Sequence, residues 1–268
     1  MKIKTYTLDS FTNHPFSGNP AAVCQLKETL DELMMQQIAQ EFNLSETAFL
    51  IPQDGYYDIR FFSPFKEIPL CGHATLASAK MLFTTKQMDE VAFKTIEGLM
   101  LKCYKRDNQV MMKFPLYETQ PADAPKAMID ALGDINLIDV RHCRETNMLL
   151  IEMESAERLK ELDPDFVALK KSHDSISGLI VTSSGDHIYD FYSRYFWPWS
   201  GGNEDPVTGA AHTVLAKYWG DKLAKVNMKA YQSSARGGYM ELFIASADEL
   251  QITSTAVVVH TGDFLLPD

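Results

Sequence analysis

The chain has 268 residues, enough for one large domain or two smaller ones with ample apolar cores. Hydrophobic residues make up 46% and charged residues 23%, as in soluble globular proteins, and a formal net charge of -11 with no Lys/Arg cluster argues against a nucleic-acid or anionic-membrane surface. The cysteines Cys24, Cys71, Cys103 and Cys143 show no CxxC spacing, so neither a metal site nor a disulfide framework is expected, and reduced thiols in a cytoplasm are the simplest reading.

The opening "MKIKTYTLDSF" alternates like a strand and lacks the apolar core of a signal peptide, and no apolar run reaches membrane-spanning length. Residues 2–8 and 21–25 read as strands. "TLDELMMQQIAQEF" predicts a helix with a capping box at Thr29 and Glu32, an apolar face of Leu30, Leu33, Met34 and Ile38, and a stop at Asn43. "ETAFLI" and "YYDIRFF" are strands flanking an Asp54-Gly55 turn. A helix from Gly72 to about Leu82 follows, then a hairpin of "LMLKCYKR" and "QVMMKFPL" around Asp107-Asn108. "QPADAP" from Gln120 is the best linker, giving two domains, 1–119 and 120–268, with a C-terminal strand able to cross over to the first. In the second half, strands are expected near 136–153, helices near 155–171, strands at "SGLIVTS" and "HIYDFYSRYFW", a helix from Gly209 and closing strands to about Leu266. Helices separated by several strands predict α+β with bent sheets.

The halves echo each other. "PLCGHATLASAK" from Pro69 and "PVTGAAHTVLAK" from Pro206 each open an Ala-rich helix on a glycine and close on Ala-Lys. Just upstream, "RFFSP" from Arg60 matches "RYFWP" from Arg194. Two matches in the same order, about half a chain apart, indicate an internal duplication of two similar domains facing one cleft.

A helix start combines unpaired N–H groups with the positive end of the dipole, and a glycine there lets a ligand approach the backbone. A carboxylate held at Gly72 and Gly209 would lie beside donors able to stabilise an adjacent enolate or carbanion. A lone Gly-x-Ala is better explained by tight helix packing; the duplicated pair favours a site. Proton transfer then needs a titratable group within reach. Glu46, between a helix end and a strand start, is one candidate, although alone it reads as a solvated glutamate. His73, next to Gly72, can polarise a substrate or carry a proton. Asp205 precedes Pro206, which also suits a helix N-cap with proline at N1. Cys71 is a candidate nucleophile or base, since a helix N-terminus lowers a thiol pKa, but its counterpart is Thr208 and no second thiol matches it. His212 fits packing better, and Asn19 sits in a Gly-Asn-Pro turn that could touch substrate.

These residues lie in four ordered segments: "SFTNHPFSGNPAAV" at 10–23, "LSETAFL" at 44–50, "RFFSPFKEIPLCGHATLASA" at 60–79 and "GGNEDPVTGAAH" at 201–212. Together they resemble the PhzF-like family, named for a phenazine-biosynthesis isomerase and related in fold to diaminopimelate epimerase. The resemblance implies two α/β-roll domains, each a bent mixed sheet around a central helix, with a cleft between them. It implies cofactor-independent, metal-free isomerisation of a small carboxylate-bearing metabolite by proton transfer. Glu46 is similar to the family's acid/base, and His73 and Asp205 to its supporting polar residues. The Gly72 and Gly209 backbones are similar to its carboxylate cradle, with Asn19, Cys71, Thr208 and Ala210 as further substrate contacts. Ala210 stands where the phenazine enzyme carries a hydroxyl residue, which argues against a phenazine-pathway substrate. The alternatives are an amino-acid epimerase or racemase using Cys71, and a catalytically inactive binder of small acids. Exposed edge strands would allow a homodimer.

Overall fold

The computed structural model describes residues 1–133 and 135–266. The chain runs β1 (Lys2–Ser10), β2 (Asn19–Gln25), α1 (Glu32–Phe42), β3 (Glu46–Pro52), β4 (Tyr57–Phe62), β5 (Glu67–Ile68), α2 (Gly72–Lys86), β6 (Glu90–Lys94), β7 (Met100–Arg106) and β8 (Gln109–Pro115). It continues through β9 (Gln120–Pro121), α3 (Lys126–Leu132), β10 (Leu137–Cys143), β11 (Met148–Met153), α4 (Ala156–Glu161), α5 (Phe166–Lys171), β12 (Gly178–Ser184) and β13 (Phe191–Phe196). Then come α6 (Gly209–Leu223), β14 (Asn227–Gln232), β15 (Gly238–Ile244), β16 (Glu249–Ser254) and β17 (Ala256–Leu265). Two compact units result: Met1–Lys113 with Thr253–Asp268, and Phe114–Ile252. The last strand belongs with the first unit because β17 lies antiparallel on β1, from Lys2↔Leu265 to Ser10↔Ala256. "QPADAP" is not a free linker, since Gln120 and Pro121 pair with His142 and Arg141 of β10.

In the first unit β1 pairs antiparallel with β2, β2 parallel with β3, β3 antiparallel with β4, β4 parallel with β6 and β6 antiparallel with β7. In the second unit the same alternation runs β10, β11, β12, β13, β14, β15. The duplication read from two sequence matches is therefore a duplication of topology.

Each unit is organised around its glycine-opened helix. His73 to Ala79 of α2 and Ala211 to Ala216 of α6 are buried without a break, so these helices are enclosed on all sides. Their alanines are what allow a sheet to wrap so closely, and their buried serine and threonine hydroxyls are satisfied within the helix, Thr213 Oγ1 of α6 donating to Ala210 O. Thr75 Oγ1 donates to Cys71 O and Ser78 Oγ to Ala74 O. Both helices run 15 residues and end on a left-handed residue, Gln87 and Ala224, each at φ 53.

The other sheet face of the first unit takes α1, whose Met35, Ile38 and Ala39 pack on Cys24, Phe49 and Ile51. Here the sequence expectation needs correction. The N-cap is Asp31, whose carboxylate accepts from Met34 N at 2.9 Å, and Thr29 caps nothing. The helix thus starts later than a Thr29–Glu32 box implies, and Leu33 is 68% exposed. Asn43 ends the helix as expected, at φ 49. In the second unit α3, α4 and α5 cover the corresponding face through Met128, Leu159 and Leu169.

Candidate active site

Strand alternation positions Glu46. Phe49 and Ile51 of β3 face α1, so Glu46, Ala48 and Leu50 belong to the α2 side. Glu46 is buried at 7% exposure, and its Oε2 lies 3.0 Å from Nε2 of His73, the second residue of α2. The His73 carbonyl accepts from Ser10 Oγ at 2.8 Å, which ties the helix start to β1. Cys71 is the α2 N-cap, and its Sγ lies 3.4 Å from His73 Nδ1. Burial opposes charge on His73, but Cys71 and the Glu46 carboxylate outweigh it and hold its pKa well above the ordinary value. Burial pushes the Cys71 thiol up, against the lowering expected from a helix N-terminus. A carboxylate bonded to a buried imidazole at the positive end of a helix is a proton-holding pair screened from bulk water.

Asn19 is fully buried at the start of β2 rather than in a free turn, and its Oδ1 accepts from Ser45 Oγ at 3.2 Å, one residue before Glu46. Gly18 makes that approach feasible: at φ +66 it brings its backbone so close that a Cβ would meet Ser10 O at 2.0 Å. The preceding segment is held by Asp9, whose buried carboxylate accepts from Phe16 N at 2.7 Å.

The second unit has its own polar helix start. Thr208, not Asp205, is the N-cap of α6, so Pro206 lies outside the helix and not at N1. Asp205 Oδ2 accepts from Thr208 Oγ1 at 2.5 Å. Gln232 clamps the turn: its Nε2 donates to Asp205 O at 2.7 Å, and its Oε1 accepts from Thr208 N at 2.9 Å. Gly209 is buried at the first helical position, and Ala210 after it is exposed. His212 is buried; its Nδ1 donates to Thr208 O at 2.8 Å, and desolvation lowers its pKa to about 4.

Register shows where the duplication breaks. Thr47 pairs with Phe62 and Leu179 with Phe196, so Gly178 occupies in β12 the position of Glu46 in β3. A side chain at Gly178 would have to displace the Tyr195 ring, since a Cβ there would meet Tyr195 Oη at 2.2 Å. Of these two matched positions, only Glu46 carries a carboxylate.

The family model described as phenazine biosynthesis-like protein, PhzC-PhzF, matches residues 8–262. The chain belongs to this family. It is 41% identical to phenazine biosynthesis-like domain-containing protein 1 of Mus musculus, over 98% of this chain and 99% of the relative. It is 42% identical to an uncharacterized isomerase of Halalkalibacterium halodurans, over 99% of this chain and 100% of the relative. The crystal structure of an Enterococcus faecalis phenazine biosynthesis protein of the PhzF family superposes with a TM-score of 0.94 at 37% identity, covering 99% of this chain and all (100%) of that one. The two-roll fold expected from the resemblance is the fold of this chain, and the chain is an enzyme of the isomerase class.

Within this PhzF-type chain, sequence reasoning grouped Glu46, Cys71, Gly72 and His73, and the structure brings them together. It did not find Ser10, which holds the His73 carbonyl, Ser45, which holds Asn19, or Gln232, which holds Asp205 and Thr208. The signal for Gln232 is a polar residue at a buried strand end just before "SSARGG". A cavity of about 750 Å³ in the first unit, lined by Lys2, Lys4, Lys27 and Lys86, opens beside Leu50 and Pro52 at the far end of β3 from Glu46 and holds none of these residues. No helix among the described residues is long and apolar enough to cross a membrane.

Proposed function

We propose that this chain moves a proton on a small carboxylate-bearing metabolite, with Glu46 as general base and then general acid. The observation that carries this reading is the buried 3.0 Å contact between Glu46 and His73 at the first turn of α2. A substrate carboxylate would be held by the free N–H groups of that turn, beside Gly72. Glu46 takes a proton from carbon, the negative charge that develops is stabilised by the same donors and by His73, and Glu46 returns the proton to a second carbon. Asn19, in the same unit as Glu46, is assigned to substrate binding and orientation.

The test is a screen of small carboxylic acids in D₂O, scored by mass for deuterium gained from solvent. Glu46→Gln should lose exchange by at least about a hundredfold, the usual worth of a general base, while still binding the acid. Full exchange in that variant rejects the assignment, and tight binding of an acid without exchange by the wild type rejects proton transfer on that acid.

A second reading has its own observation. Cys71 Sγ lies close enough to His73 for a thiol to share the proton work, as in an epimerase. Thr208 at the matching helix cap offers no second thiol, so such an epimerase would pair Cys71 with Glu46. Cys71→Ser then slows exchange at least tenfold; exchange at the wild-type rate removes this reading.

A further inference from the structure

The three side chains that meet at the α2 start form a donor set for a soft divalent cation. Glu46, Cys71 and His73 each offer one ligand atom, all are buried, and these atoms lie within 4.8 Å of one another. A tetrahedral zinc ion with Zn–N and Zn–O near ~2.0 Å and Zn–S near ~2.3 Å holds its ligand atoms about 3.3 to 3.5 Å apart. Here His73 Nε2 is 3.0 Å from Glu46 Oε2 and 3.8 Å from Cys71 Sγ. The remaining differences are a few tenths of an ångström, within reach of a small turn about the Cys71 Cα–Cβ bond. The backbone beneath the set is fixed. Ser10 Oγ donates to His73 O, and Thr75 Oγ1 and Thr75 N both donate to Cys71 O. Thiolate plus imidazole selects for zinc or cobalt over magnesium or calcium, and three protein ligands leave one position for water or an anion.

We infer that Glu46, Cys71 and His73 bind one zinc or cobalt ion per chain and that the bound ion switches the proton-transfer site off. On binding, the Cys71 thiol proton and any imidazolium proton of His73 pass to solvent, and the thiolate, imidazole and a Glu46 oxygen each donate a lone pair to the metal. The inhibitory half of the inference rests on the role of Glu46 proposed above; the binding half does not.

The test titrates cobalt chloride into the full, metal-stripped wild-type chain and follows the thiolate-to-cobalt charge-transfer absorption. One equivalent should raise the band, Cys71→Ala and His73→Ala should each abolish it, and Cys103→Ala, a buried thiol of the same unit, should keep it. Excess zinc should displace the cobalt and stop solvent-deuterium exchange, with recovery on adding a chelator. Absence of the band in the folded wild type, or a band indifferent to Cys71 and His73, overturns the inference and leaves the proton-transfer reading intact. A bound ion with unchanged exchange instead overturns the role of Glu46 and the switch, leaving the metal site standing.

Discussion

His212 shows how one residue can carry a measurable pH signature. It stands in α6 where Thr75 stands in α2, and both reach the carbonyl four residues back, at Thr208 and Cys71. Its ring stacks on Phe191 at 6.1 Å, and its Nε2 is buried without a partner. Desolvation therefore lowers its pKa to about 4. The sign follows by linkage. An unfolded chain takes up this proton as pH falls through about 6.5, while the folded chain resists until about 4, so stability is lost across that window. The loss amounts to roughly 3 kcal/mol at its lower end. His212→Thr copies the residue of the first unit and keeps a hydroxyl for Thr208 O. Urea unfolding of both proteins from pH 7 to pH 4 should show a shallower acid loss in the variant by about that amount, and parallel curves would refute it. The same residue marks a limit of sequence reading: its packing role was legible, but its enforced neutrality depends on burial that no local pattern reveals.

At the scale of elements, the arginines in "RFFSP" and "RYFWP" do equivalent work. Arg60 forks onto Glu67, with Nε at 2.7 Å and Nη2 at 2.6 Å from its oxygens, and Arg194 forks onto Glu204 at 2.7 and 2.8 Å. Each guanidinium also lies over a phenylalanine, Phe62 at 5.2 Å and Phe196 at 5.0 Å. The contexts differ. Arg60 makes its further contact to Glu32, a side chain 70% exposed. Arg194 is buried and donates Nη1 to Leu159 O and Leu162 O, closing the end of α4. Removing it strands a carboxylate and takes a donor from two carbonyls, of which Leu159 O keeps only its bond from Leu162 N, at a cost of about 3 kcal/mol or more, whereas Arg60→Ala should cost about 1. Equal costs in denaturant titration would mean that the α4 carbonyls contribute nothing. The motif match located both arginines, yet neither glutamate partner was legible, because Glu204 sits beyond a loop of irregular length. α1 was legible in part. Of its expected apolar face, Ile38 is buried and Leu30 and Met34 pack against the same cluster, while Leu33 is exposed; the sequence carries apolar residues on two overlapping helical faces, and only packing against Cys24, Phe49 and Ile51 adds Met35 and Ala39 and leaves Leu33 out.

The whole chain reads as a duplicated plan with a break in the copy at Gly178 and a C-terminal strand that returns to the first unit. The glycine-opened helices made the duplication visible, since an unbroken run of small residues is a local signal. The break at Gly178 was hidden because it is a matter of register between strands far apart in sequence. The path of β17 was open for a similar reason: a strand's alternation says nothing about which edge it will join. Its place on β1 is built from a full ladder plus Phe11 N to Thr255 O at 2.8 Å and Thr255 Oγ1 to Asn108 O at 2.8 Å. A chain ending at Ile252 would therefore strip the first unit of an edge and leave β1 exposed to water. Hydrogen exchange followed by mass spectrometry should then show faster exchange in β1 and β2, while β11, β12 and β13, whose partners all lie within the second unit, keep their protection. Uniform loss of protection would show that the units do not hold their cores separately. Protection retained in β1 would show that its bonds to β2 alone suffice, and that the C-terminal strand contributes no stability to the unit that houses Glu46.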